Sequence, residues 1–166
     1  MVRLVPISYG LMGELAEDPV VALKPHCRLA ETAREFFKEM SRQSLDFYTR
    51  TRAISPWLGY VVVDADSGRA VGTVGFKGNP GPEGDVEIAY GTLPECTGRG
   101  FATAAARELV HIAAGQPGVF RVIAHTLPER NASCRVLEKA GFRRVGEVID
   151  PEDGRVWRWE RRPGRD

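Results

Sequence analysis

An α/β domain built on a mixed sheet with helices on both faces is the fold class that three features of the chain predict. The later half alternates strand, helix, strand, helix, strand. A valine-rich hairpin meander precedes it, and 43% apolar residues in a chain of 166 are enough for one continuous core. Positions 1–166 read as a single domain.

Taken in order, Arg3 to Ile7 reads as a short strand, and helical stretches follow to about Arg52. Within Ala30 to Met40, Ala33, Phe36, Phe37 and Met40 recur at helical spacing, and Leu45, Phe47 and Tyr48 continue the apolar pattern. Pro56 breaks the chain before a strand at Leu58 to Asp64. Asp66-Ser67-Gly68 supplies turn chemistry, which makes Ala70 to Lys77 the return strand of a hairpin. The glycine- and proline-rich loop Gly78 to Gly84 is expected to be mobile. In the next strand, Asp85 to Thr92, alternation places Val86, Ile88 and Tyr90 on one face and Glu87, Ala89 and Gly91 on the other. One carboxylate beside two very small residues leaves room for a close approach to the sheet. Phe101, Ala105, Leu109 and Ile112 form the stripe of a helix that Gly115 and Pro117 end near Ala114. Val119 to Thr126 is a strand, and Asn131 to Ala140 a short helix ended by Gly141. Phe142 to Ile149 and Arg155 to Arg161 are strands around the turn Asp150 to Gly154.

Lys and Arg number 23 against 22 Asp and Glu, so the net charge of +1 predicts no nucleic-acid partner. Arg155, Arg158, Arg161, Arg162 and Arg165 cluster at the end, but they alternate with Trp157, Trp159 and acidic neighbours and read as a solvated strand edge. Apolar runs such as Val61 to Val63 are too short to cross a bilayer, and the start lacks the pattern of a secretory signal. Three scattered cysteines, Cys27, Cys96 and Cys134, fit a reducing cytoplasm rather than a disulfide framework. His26 and Cys27 are adjacent with no second pair at ligand spacing, so no metal site is expected. The chain reads as cytoplasmic, without a membrane partner.

Thr97-Gly98-Arg99-Gly100-Phe101-Ala102-Thr103 lies between a strand and the start of a helix. The first N–H groups of a helix lack partners within it, and its dipole places partial positive charge there. Two glycines remove side chains that would hold a phosphate away, and Arg99 adds a charge able to make bidentate contact. An ordinary tight turn using glycine for positive φ is the plainer account of Gly-x-Gly alone. No Gly-Lys-Ser/Thr follows, and the third glycine of a dinucleotide fingerprint is missing.

The stretch Val86-Glu87-Ile88-Ala89-Tyr90-Gly91-Thr92-Leu93-Pro94 and on through Gly98 to Thr103 resembles the strand, acetyl-CoA loop and helix of the GNAT superfamily of N-acetyltransferases. A second block, Asn131-Ala132-Ser133 then Val136-Leu137-Glu138-Lys139-Ala140-Gly141-Phe142, is similar to the branch containing the ribosomal-protein N-terminal acetyltransferases. The resemblance covers roughly Trp57 to Arg161. It implies a mostly antiparallel central sheet in which two parallel strands, ending near Leu93 and Thr126, splay apart. It also implies acetyl-CoA as co-substrate, an amine as acceptor, and transfer to a small-molecule amine or a protein N-terminus. Thr97 stands where the family's loop begins with Gln or Arg, and Gly100 and Ala102 take its later positions. Leu137 stands where the wider family often has a tyrosine acid.

Acetyl transfer requires an acceptor ammonium, with a pKa near ~10, to lose a proton, and a thiolate leaving group, with a pKa near ~8.5, to be neutralised. Positioning in a ternary complex then does most of the work, without a covalent enzyme intermediate. Glu87 matches the family's glutamate acting through water, although a solvent-facing strand glutamate is equally ordinary. His125 is a second base candidate that also reads as a space-filling strand-end histidine. Ser133 matches the serine proposed to donate to the leaving sulfur, and as a residue of a helix start it also suits backbone bonding. Asn131 reads as a helix cap and, by resemblance, as a holder of the pantetheine arm. Thr92 and Leu93 are implicated in pairing with that arm through backbone groups. The phosphates are assigned to Thr97, Gly98, Arg99, Gly100, Phe101, Ala102 and Thr103. Arg135 and Lys139 read as a solvated helix face, with the 3′-phosphate of CoA as the alternative. Cys96 and Cys134 have no adjacent base, which ranks a cysteine nucleophile low. Phe36, Phe47, Tyr48, Trp57 and Phe76 are the residues around which the acceptor would bind, or else core. A non-catalytic acyl-CoA sensor and a nucleotide-phosphate binder are the rival readings. Monomer and homodimer stay open.

Overall fold

The computed structural model describes residues 1–164, so Arg165 of the arginine cluster lies outside the described residues. Strand β1 (Val2–Pro6) leads into α1 (Tyr9–Glu17), α2 (Pro19–Leu23) and α3 (Arg34–Thr51). Next come β2 (Gly59–Asp64), β3 (Ala70–Phe76) and β4 (Asp85–Thr92). Helix α4 (Phe101–Ala114) crosses to β5 (Arg121–Thr126), and α5 (Ala132–Lys139) precedes the hairpin of β6 (Arg143–Asp150) and β7 (Gly154–Arg161). All seven strands form one sheet in the order β1-β2-β3-β4-β5-β7-β6, antiparallel throughout except between β4 and β5.

Local chemistry accounts for the elements that the pattern alone did not resolve. The Ser8 side chain caps α1 by accepting from the Leu11 N–H, and Asp18 caps α2 by accepting from Val20 and Val21. Ala30 is extended and Glu31–Ala33 form a single 3₁₀ turn, so α3 begins at Arg34 and then runs unbroken to Thr51. The Gly78 to Gly84 loop, expected to be mobile, is tied down. Asn79 accepts from the Ile54 N–H at 3.0 Å and donates to the Arg52 carbonyl at 3.1 Å, while the Gly84 carbonyl accepts from Phe120 at 2.8 Å.

Helices cover both faces. Phe36 of α3 comes within 3.4 Å of the place a Cβ on Gly91 would occupy, and on the opposite face of β4 the Tyr90 hydroxyl donates to the Ser133 carbonyl in α5. The C-terminal arginine strand is an inner strand rather than a sheet edge, because β7 lies between β5 and β6. Its Arg158 reaches Asp85 at 3.5 Å and Glu160 at 3.0 Å, and Trp159 is in the core with its indole N–H on Thr126 at 3.0 Å. Among the described residues no helix is long and apolar enough to cross a membrane.

Candidate active site

The parallel pair β4 and β5 is joined over three residue pairs only, Asp85 with Arg121, Val86 with Val122 and Glu87 with Ile123. Asp85 pins this end, accepting from Arg121 at 2.7 Å. Beyond it the strands diverge. The Glu87 carbonyl accepts from the Lys77 N–H and the Leu93 N–H donates to the Val71 carbonyl, so odd-numbered residues of β4 bond toward β3. Alternation then turns the main-chain groups of Tyr90 and Thr92 toward β5, past the point where pairing has ended. Both groups of Leu93 are engaged, its carbonyl accepting from Cys96 at 2.8 Å. Of the two expected pantetheine partners, Thr92 therefore faces the gap and Leu93 does not. The main-chain groups of Tyr90 face the gap as well, an orientation that strand alternation would have revealed had the register with β3 been known.

At one side of the gap stands the N-terminus of α4. Gly100 is its cap residue at φ 83°, with no side-chain cap, and its carbonyl accepts from Ala104. The N–H groups of Phe101, Ala102 and Thr103 precede the first intrahelical donor and have no acceptor in the helix. Gly98 is also left-handed at φ 73°, and a Cβ at either glycine would project into open space. A cleft of about 340 Å³ opens here. Thr97, Gly98, Gly100 and the first turn of α4 line one wall, and Ser133, Arg135 and Lys139 of α5 line the other. The donors, the space and the two cations suit a diphosphate carrying a further phosphate. Arg99 points elsewhere. Its guanidinium lies 4.9 Å from the Phe101 ring centroid and lines a neighbouring pocket with Arg69 and Leu93.

The two base candidates, far apart in sequence, meet. His125 Nδ1 lies 2.7 Å from Glu87 Oε1, and Lys77 Nζ lies 3.5 Å from the same oxygen. An ionised carboxylate only accepts, so Nδ1 then carries the hydrogen. Lys77, the ion-pair partner of Glu87, and Ala89, its same-face neighbour, line a cavity of about 420 Å³. Phe36, Phe47, Tyr48 and Phe76 line this cavity as well. Trp57 instead packs edge-on to Phe76, 4.9 Å between centroids, and belongs to the core. Lys77 and Glu152 were not among the sequence candidates. The register of Lys77 against Glu87 across the β3–β4 hairpin was the available signal.

Tyr90 is among the residues lining both the cavity and the cleft. Burial pushes its phenol up to about 12. Asn131 caps α5 by accepting from the Cys134 N–H at 3.1 Å, and it is not among the residues lining the cleft. Ser133 is in the cleft wall. Cys134 is fully buried, with its thiol on the Glu129 carbonyl at 3.3 Å, and burial raises the Cys96 thiol, so neither is presented as a nucleophile. Leu137 is fully buried too.

Residues 4–143 match the acetyltransferase (GNAT) domain family. The chain belongs to the GNAT acetyltransferase family. This GNAT acetyltransferase is 30% identical over 92 residues to the uncharacterized N-acetyltransferase YjdG of Bacillus subtilis (strain 168). That match takes in 55% of this chain and 53% of the relative, so the chain spans about half the length of the curated relative it matches. Its fold is shared with aminoglycoside acetyltransferase AAC(6')-Ib in complex with coenzyme A, at a TM-score of 0.68 and 20% identity, covering 98% of this chain and 95% of that one. The ribosomal-protein-S5-alanine acetyltransferase from Vibrio fischeri gives 0.62 and 19%, covering 98% and 92%. The mixed sheet with splayed parallel strands expected from the GNAT resemblance is the fold observed.

Proposed function

We propose that this GNAT acetyltransferase moves the acetyl group of acetyl-CoA to a primary amine by direct attack within a ternary complex. One observation carries the reading. The gap between β4 and β5 has an uncapped, glycine-flanked helix N-terminus on one side and, on the other, a cavity lined by Lys77, which pairs with Glu87 of the Glu87–His125 pair, with Tyr90 lining both spaces.

In this arrangement the N–H groups of Phe101, Ala102 and Thr103 receive the diphosphate, with Thr97, Gly98 and Gly100 leaving room for it. Arg135 and Lys139 meet the 3′-phosphate. Tyr90 and Thr92 offer main-chain groups to the pantetheine amides, while Asn131 holds the start of α5 in place beside them. Arg99 contributes charge near the loop rather than a lining contact. The acceptor enters through the cavity. Glu87 takes its proton by way of water, and His125 fixes the carboxylate by donating from Nδ1. The departing thiolate, intrinsically a fair leaving group, is met by the Ser133 hydroxyl at the head of α5.

Glu87→Gln tests this. The carboxamide keeps the shape but cannot accept the proton, so turnover should fall by about 10²–10⁴ while acetyl-CoA affinity holds. Calorimetric titration and CoA release, run side by side over a panel of amines, make the measurement. Undiminished turnover in the variant would remove Glu87 from the mechanism. A wild type that binds acetyl-CoA and releases no CoA with any amine would return the chain to the sensor reading.

A further inference from the structure

The walls of the 420 Å³ cavity set what can enter it. Its volume lies in the range of about 300–1,000 Å³ typical of small-ligand sites. Among the described residues that line it, Glu152 supplies the one carboxylate and Lys77 the one ammonium. Lys77 is already directed at Glu87, 3.5 Å away. On the α3 side the surface is Phe36, Met40, Phe47 and Tyr48. On that side the hydroxyl of Tyr48 donates to the Phe76 carbonyl at 2.5 Å and that of Ser44 to the Met40 sulfur at 3.4 Å, and among the described residues no carboxylate stands on the α3 wall. The guanidinium of Arg50 lies 5.8 Å from the Phe47 ring centroid, on the same helix. A polyamine or an aminosugar antibiotic needs acceptors along its whole length. Away from Glu152, a second or third ammonium would lose its water against methionine and phenylalanine with no carboxylate to pair it. A single ammonium is provided for beside Glu87, and an apolar body behind it would bury its surface against the α3 wall.

We infer that the acceptor is a primary amine carrying one positive charge on an apolar, aromatic or aliphatic body, held between α3 and the β3–β4 hairpin. The inference rests on the acetyl transfer proposed above and names its substrate class.

The test compares kcat/KM with acetyl-CoA for 2-phenylethylamine, a Phe-Gly-Gly tripeptide amide, spermidine and kanamycin, with acetyl-CoA binding measured on the same preparation. At least a tenfold preference for either of the first two is expected, and the ratio between them tells a free amine from a chain end. Spermidine or kanamycin as the better substrate would overturn the substrate class and leave acetyl transfer standing. Binding of acetyl-CoA with no amine turned over would overturn both. In Phe47→Ala the KM for 2-phenylethylamine should rise tenfold or more while acetyl-CoA affinity stays fixed. Ser44→Glu, which puts a carboxylate on the apolar wall, should move the preference toward spermidine, and an unchanged profile in both variants would also overturn the class.

Discussion

Tyr90 links the two halves of the site through one hydroxyl. The residue lines both cavity and cleft, and its O–H donates to the Ser133 carbonyl at 3.2 Å, tying β4 to the first turn of α5 across the open gap. Burial raises the phenol to about 12, against about 10 in the unfolded chain. A group raised in the folded state binds its proton more tightly there. Its contribution to stability is therefore complete below about pH 10 and is lost as pH climbs toward 12. Tyr90→Phe removes this group, leaving the raised Tyr48 and Tyr60 phenols and the raised Cys27 and Cys96 thiols. The fall in urea midpoint between pH 9 and pH 11 should be smaller in the variant than in the wild type. At neutral pH the lost hydrogen bond should cost about 0.5–1.5 kcal/mol. Equal alkaline slopes in the two proteins would mean that Tyr90 ionises freely and is not held in place by its burial.

Helix α4 was legible to the residue because its signals are local. An apolar stripe runs from Phe101 to Leu109, and Gly98 and Gly100 supply the two left-handed residues the turn before it requires. Helix α1 was not, since Gly10 and Gly13 dilute its pattern and its stability comes from packing on α3. The position of β7 inside the sheet and the contact between Glu87 and His125 are pairings between distant segments, which no window of sequence contains. The residue types at the site were therefore readable while their partners were not. The readable part yields a test at this scale. Gly100→Ala forces a side chain into left-handed backbone at about 1–2 kcal/mol, and its Cβ also enters the space in front of α4. Gly68→Ala, in the β2–β3 turn at φ 71° with open space around it, carries the same backbone cost away from the cleft. Melting temperatures should fall similarly in both variants. Only Gly100→Ala should weaken acetyl-CoA binding, by tenfold or more in a titration. Equal affinity in the two would dissociate the phosphates from this helix terminus.

At the scale of the molecule the sheet is two sheets sharing a short seam. Strands β1 to β4 form one and β5, β7 and β6 the other, and they pair only between Asp85–Glu87 and Arg121–Ile123. Asp85, with Arg121 of β5 at 2.7 Å and Arg158 of β7 at 3.5 Å, braces that seam to the two nearest strands of the other sheet. Past the seam, the hydrogen bond from Tyr90 to Ser133 and the packing of α5 against α4 are left to hold the halves together. A ligand whose diphosphate bonds α4 and whose arm pairs with β4 beside α5 touches both halves at the open end, so it should stiffen the whole domain and not one loop. Binding to the folded state alone contributes about 2.7 kcal/mol at a hundredfold excess over Kd. For a chain of this size each kcal/mol moves the melting temperature by about 2–4 °C, which predicts a rise of roughly 5–11 °C with acetyl-CoA in a calorimetric scan. ATP, which has phosphates but no pantetheine arm, engages one half only and at the same concentration should give a much smaller rise. An equal shift from ATP would mean that phosphate capture at α4 accounts for all the binding energy, and the open edge of β4 would then have no part in holding the co-substrate.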